Sequence, residues 1–173
     1  TQQVRKILRD RFRQADAGIS GVNFAIAETG TLCLVENEGN GRMCTTTPPL
    51  HIAVTGIEKV VEKLSDIPPL LDILTKSATG QEITTYFNMI SSPRREGEKD
   101  GPKSMHLVLL DNGRSKIHQN NDMQETLKCI RCGSCINHCP VYTQLGDHVY
   151  GKIYPEPLGI TLWPQNQGIP ELS

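Results

Sequence analysis

Four of the chain's six cysteines, Cys129, Cys132, Cys135 and Cys139, fall within eleven positions, in the run CIRCGSCINHCP. Their spacing is C-x2-C-x2-C-x3-C-P. Thiolate is a soft metal ligand, so sulfurs this dense point to ligand chemistry. Two-residue gaps let a loop wrap one face of a compact inorganic cage and offer three sulfurs in succession. Gly133 gives that loop backbone freedom that a Cβ would restrict, and lets peptide N–H groups approach the sulfurs, where hydrogen bonds tune a redox potential. The three-residue gap carries Cys139 away from the other three, and Pro140 is expected to enforce an extended exit.

The same spacing is the bacterial pattern for [4Fe–4S] ligands, in which the fourth cysteine of a two-cluster protein serves the other cluster. Three rivals weigh less. A disulfide framework belongs to secreted chains, and here no secretory signal is visible and the gaps are too tight. Structural zinc usually takes two separated C-x2-C pairs or a Cys/His mixture; His138 lies beside Cys139, but the third cysteine and the Cys-Pro ending favour iron. Chance does not produce four cysteines at these gaps. Two arrangements stay open. All four can hold one cluster. Alternatively Cys139 serves a second cluster whose other ligands lie in sequence not present here, since Cys33 reads as a core residue of a strand and Cys44 as a bystander at a loop or strand edge.

The elements that must position these residues can be read from periodicity. Residues 1–17 make an amphipathic helix with Val4, Ile7, Leu8, Phe12 and Ala15 on one stripe and Gly18 as its stop. Residues 22–27 and 31–35 read as central strands of a sheet covered on both sides. The segment 36–42 reads as a Gly/Asn turn, 45–50 as extended near its prolines, and 51–56 as a strand. A helix is predicted next, with Thr55 and Glu58 at capping-box spacing and Ile57, Val60, Val61 and Leu64 buried. Asp66 caps another, with prolines in its first turn and Leu70, Leu71 and Leu74 inward. Residues 83–91 and 105–111 are strands, 93–103 is an exposed loop, and Asn121 or Asp122 caps a short helix leading to Cys129. Beyond Pro140 the sequence turns loop-like. Strands alternating with helices predict an α/β layer over 1–120, with the cysteine segment, 121–173, as a small appendage of short helices and loops.

Composition narrows the function. The chain has 173 residues, formal net charge −1 and 37% hydrophobic residues. Its basic clusters, at 9–13 and 93–103, are interleaved with acids, so nothing argues for nucleic acid. The longest apolar runs, such as LVLL at 107–110, are far short of the roughly 20 residues a membrane span needs. A cytoplasmic location is the expectation. The chain begins at Thr1 and ends on GIPELS, and is expected to be a piece of a longer protein.

ETLKCIRCGSCINHCPVYTQLG resembles the first cluster motif of α-helical ferredoxin domains. FAIAETGTLCLVENEGNGRMCTTTPPLHIAVTGIEKVVEKL is similar to the lactate-utilisation domain. Joined in this order, and with GRSKIHQN and YGKIYPEPLG also fitting, they resemble the lactate-utilisation iron–sulfur protein B family. The resemblance implies a sugar-phosphate isomerase/CoA-transferase type of α/β fold, incomplete here at its N-terminus. It also implies two [4Fe–4S] clusters in the full-length protein, the second held by a downstream cysteine motif absent here. The implied role is electron transfer beside two partner subunits, in oxidising L-lactate to pyruvate. Cys129, Cys132, Cys135 and Cys139 match the family's ligand positions. Glu28, Thr29, Gly30 and Thr31 match a signature of the domain, with Arg42 and His51 in associated positions. A strand-connecting turn is the favoured reading of that signature; the sharper one is a small anion or carboxylate pocket with Arg42 as a bidentate clamp. That pocket would suit a second hypothesis, a ligand-binding or transferase-like enzyme in which the cluster is structural. A redox sensor is a third, weaker one.

Overall fold

A computed structural model describes residues 2–150 and 155–167. In chain order the elements are α1 (Gln2–Gln14), β1 (Ala17–Gly21), β2 (Phe24–Ile26), β3 (Thr31–Glu36), α2 (Asn40–Thr46), β4 (Leu50–Gly56), β5 (Val60–Val61), α3 (Ile67–Thr79), β6 (Tyr86–Ile90), β7 (Ser104–Leu110), α4 (Arg114–Gln119), α5 (Ser134–Asn137), α6 (Pro140–Leu145) and α7 (Pro157–Gln167). Single 3-10 turns lie at Ile57–Lys59, Leu64–Asp66, Gln124–Lys128 and Asp147–Tyr150. The architecture is mixed α/β. Two compact units divide it, one of residues 1–67 and 84–110, the other of 68–83 and 111–173.

The first unit holds two sheets. One is parallel, in the order β1-β4-β7; the other is mixed, in the order β5-β2-β3-β6. β4 alternates, with His51, Ala53 and Thr55 buried, and β1 answers with Gly18 and Ser20. This is the period of two that a half-covered strand imposes. Val22, Ala25, Leu32 and Leu34 from the mixed-sheet segment pack with Ala53, and Ile90 and Met105 close the cluster. Each large apolar side chain sequestered there contributes about 1.5–3 kcal/mol. β2 and β3 are central strands, as their two-sided apolar character predicts, and Cys33 is fully buried.

Several elements depart from the sequence pattern. No residue of α1 is buried, and Val4, Ile7 and Leu8 are 57%, 49% and 49% exposed: the periodicity records an apolar face without saying what covers it. Gly18 is no helix stop. It lies inside β1, an element the pattern did not mark, where the carbonyl of Cys44 passes so close that a Cβ would stand 1.9 Å from its oxygen. The turn at 36–42 runs into α2, because Glu36 accepts the backbone N–H groups of Gly41 and Arg42, both at 2.6 Å, and so caps the helix from outside it. The expected extension before Pro48 does not occur. Thr47 stays helical at φ −86°, ψ −48°, with its N–H on the Met43 carbonyl.

The helix expected after β4 is replaced by a 3-10 turn and the short strand β5. Thr55, the supposed cap, donates its hydroxyl to the Val22 carbonyl at 3.3 Å. Val60 and Val61 pair in parallel with Ala25 and Ile26, a use that suits β-branched side chains better than a helix does. Asp66 turns its carboxylate back to the Lys63 N–H, and Pro68 and Pro69 sit in the first turn of α3 as expected. β7 follows its prediction but leaves Leu107, Val108, Leu109 and Leu110 each at least 40% exposed at the edge of the parallel sheet.

The second unit is helical. Its core is Ile117 of α4 with Leu158 and Leu162 of α7, and Leu127 and Cys129 pack against it. α4 lies upstream of the predicted short helix, and the predicted helix itself is the 3-10 turn Gln124–Lys128. Among the described residues beyond Pro140, helices replace the expected loop. Pro140 opens α6 and Pro157 opens α7, because the first helical position needs no N–H and favours the φ that proline fixes. The extended residue is Cys139 (φ −75°, ψ 118°), and Pro140 starts a helix from it. Residues 151–154 of YGKIYPEPLG lie outside the described residues.

Candidate metal centre

Cys129 leaves the 3-10 turn Gln124–Lys128 in an extended conformation, its N–H bonded to the Thr126 carbonyl at 3.2 Å. Its side chain is held by the Ile117–Leu158–Leu162 core. From there the backbone twice enters the left-handed region, at Arg131 (φ 59°) and at Gly133 (φ 77°), on either side of Cys132. For glycine this is free, as the sequence anticipates; for Arg131 it costs about 1–2 kcal/mol. The Arg131 side chain reaches Glu156, with Nε 3.6 Å from Oε2. Gly133 opens α5, its carbonyl accepting the N–H groups of Ile136 and Asn137 at 3.1 Å. Asn137 ties α5 to the Ser77 carbonyl of α3 at 3.2 Å.

Cys129, Cys132 and Cys135 line one cleft of about 550 Å³ together with Ile73, Arg131 and Glu156, among others. Cys139 is not part of that lining. Its Sγ lies instead 3.5 Å from the Tyr150 hydroxyl. The phenol first, then the Tyr142 N–H, holds the Cys139 thiol below its usual pKa, and the same contact pushes Tyr150 up. Burial alone raises the Cys33 thiol, and burial with the nearby Glu36 carboxylate raises Cys44, so both are poorer thiolate donors than free cysteine.

The donor set fits an iron–sulfur cage. Among the described residues, no three His, Cys, Asp or Glu side chains converge as one metal ion needs. Three thiols on one cleft are the soft donors that such a cage takes. Tyr150, Arg131 and Glu156 carried no signal in the spacing; a non-glycine residue at positive φ and a contact eleven positions away leave no periodic trace.

Glu28, Arg42 and His51 have separate partners. Glu28–Gly30 form the turn between β2 and β3, with Gly30 at φ 68° and its N–H on the Ile26 carbonyl. Thr29 donates to Thr31, and Thr31 meets Ser91, both at 2.8 Å. Glu28 accepts the Leu64 N–H at 3.2 Å. Arg42 lies in the first turn of α2, with its guanidinium 5.8 Å from the centre of the Tyr86 ring. His51 is wholly buried in β4, and its Nε2 shares a 2.8 Å hydrogen bond with Ser20.

An α/β layer followed by a thiol-lined helical segment is the plan of an iron–sulfur protein. Residues 1–110 match the LUD domain model and residues 125–171 the 4Fe-4S dicluster domain model. The chain belongs to the LUD-domain family, and the cofactor of its second segment is a [4Fe–4S] cluster. It is 48% identical over 167 residues to lactate utilization protein B of Bacillus velezensis, covering 96% of this chain and 35% of that protein. It is 47% identical over 161 residues to the uncharacterized electron transport protein YkgF of Escherichia coli (strain K12), covering 93% and 34%. The chain thus spans about a third of the length of these relatives. A DUF162-family crystal structure from Deinococcus radiodurans aligns with a TM-score of 0.43 and 22% identity, over 58% of this chain and 57% of that one.

Proposed function

We propose that this chain is part of an iron–sulfur electron-transfer subunit, itself non-catalytic, of a cytoplasmic complex that oxidises L-lactate to pyruvate. Residues 1–120 are its LUD-type domain and 121–173 the start of its ferredoxin-type segment. The names of the relatives and the domain order support the reading; the observation that carries it is the three-plus-one disposition of the thiols. Cys129, Cys132 and Cys135 hold one [4Fe–4S] cluster, and Cys139 serves a second whose other thiolates come from the longer protein. When bound, such clusters supply one-electron transfer. The residues here supply ligands and hydrogen bonds that set the potential. Among the described residues no helix is long and apolar enough to cross a membrane. A ligand-binding or transferase-like role would need Glu28, Arg42 and His51 to converge, and their separate partners weigh against it.

The test is anaerobic iron and acid-labile sulfide analysis with EPR on the full-length protein, and lactate turnover of the complex after each of Cys129, Cys132, Cys135 and Cys139 becomes serine. Loss of EPR signal together with turnover is expected. One zinc per chain without iron or sulfide, or full turnover in the serine variants, refutes the proposal.

A further inference from the structure

The chain beyond Cys139 folds back on it. α6 ends at Gly146, whose φ of 72° and ψ of −164° are open essentially to glycine alone, and whose N–H bonds the Tyr142 carbonyl at 2.9 Å. The 3-10 turn Asp147–Tyr150 follows and returns Tyr150 to the start of α6. There its ring stands 6.4 Å from that of Tyr142, tilted by 42°, and its hydroxyl faces the sulfur of Cys139 at 3.5 Å. A phenol is a hydrogen-bond donor at neutral pH, and a ligating thiolate is an acceptor.

We propose that Tyr150 is a positioning residue of the iron–sulfur centre, whose hydroxyl donates a hydrogen bond to Cys139 Sγ and thereby raises the potential of the cluster that this sulfur ligates. The proposal rests on Cys139 being a ligand. The bond fixes the sulfur's direction before ligation. After it, the bond favours the reduced, more negative cluster, because a donor near sulfur stabilises added negative charge. The Tyr142 ring braces that of Tyr150, and its phenol is not the group that meets the sulfur; its backbone N–H, which does, is kept in Tyr142→Phe, so that variant serves as the control.

The full-length protein, reconstituted anaerobically, would be titrated with dithionite under EPR as wild type, Tyr150→Phe, Tyr142→Phe and Cys139→Ser. Phenylalanine keeps the ring contact with Tyr142 and removes only the O–H. Tyr150→Phe should retain iron and sulfide and make one cluster harder to reduce, by about tenfold in the reduced-to-oxidised ratio at fixed potential, equivalent to about 59 mV for one electron. Tyr142→Phe should leave both potentials in place. Unchanged potentials in a fully loaded Tyr150→Phe protein would overturn the role of Tyr150, as would an equal shift in Tyr142→Phe. Unchanged iron, sulfide and EPR in Cys139→Ser would overturn the ligand assignment itself, a different failure.

Discussion

Two glycines of one strand, three residues apart, should respond to the same substitution in opposite ways. Gly18 and Gly21 both lie in β1, and neither has a positive φ, so alanine is stereochemically allowed at both. At Gly21 an added Cβ meets nothing within 4 Å. At Gly18 it would stand 1.9 Å from the Cys44 oxygen, 2.8 Å from its carbonyl carbon and 3.2 Å from its Cα. These are backbone atoms of α2, and no rotamer relieves the clash; β1 and α2 must part by more than an ångström. Overpacking a tight site costs about 1–3 kcal/mol, and a backbone-on-backbone collision belongs at the upper end, about 3 kcal/mol. Gly21→Ala should gain about 0.4–1 kcal/mol, because alanine has less freedom to lose on folding. With a urea slope of about 2 kcal/mol per molar, the two midpoints should lie roughly 1.5–2 M apart, Gly18→Ala below wild type and Gly21→Ala at or slightly above it. Urea unfolding followed by far-UV circular dichroism measures this directly. Midpoints within about 0.3 M of each other would show that β1 does not run against α2 as described.

Burial pushes the His51 imidazole below its usual pKa, and its Nδ1 is buried without a hydrogen-bond partner. The unfolded chain therefore binds the proton more readily. The stability that neutral His51 confers is complete above pH 6.5 and is lost as the pH falls toward the depressed folded value, with a slope of at most about 1.4 kcal/mol per pH unit. Urea midpoints at pH 7.5, 6 and 5 should fall less steeply in His51→Asn than in wild type; an identical slope would place the titrating group elsewhere. Leu158→Ala removes a fully buried side chain from the core that packs on Cys129, and should cost about 2–5 kcal/mol and lower the iron retained on reconstitution. Ile117→Val, a milder loss in the same core, should cost about 0.5–1.5 kcal/mol and keep the iron; thermal melts with iron analysis separate the two outcomes.

What the sequence revealed and what it hid follow one physical division. Metal chemistry depends on residue type and spacing, so the quartet pointed to a [4Fe–4S] cofactor before any fold was known. β2, β3, β4, β6 and β7 were legible because short apolar runs with β-branched residues, bounded by turn residues, suit strands. The error after β4 came from local rules that were sound in themselves. Thr55 and Glu58 have capping spacing, yet long-range partners claimed Thr55, Val60 and Val61 first. β1 escaped notice because AGISG has too little apolar character to signal a strand; its place is set by pairing with β4. The Glu28–Thr31 signature was visible as a turn, and its hydrogen bonds are those of a turn.

The proposed division of the quartet into three thiols and one draws on backbone conformation more than on the count of intervening residues. Left-handed residues at 131 and 133 reverse the chain on both sides of Cys132, which keeps Cys129, Cys132 and Cys135 around one cleft. No such residue lies between Cys135 and Cys139. The single turn of α5 carries the chain past, and Pro140 then commits it to α6, with Cys139 as the extended residue between two helices. The proposed arrangement, in which a cage on the first three sulfurs takes its fourth ligand from another part of the protein and Cys139 serves a different centre, rests on this backbone path. The extended conformation of Cys139 between α5 and α6 also gives Tyr150 its opportunity, since the chain that follows α6 returns the phenol to within 3.5 Å of that sulfur.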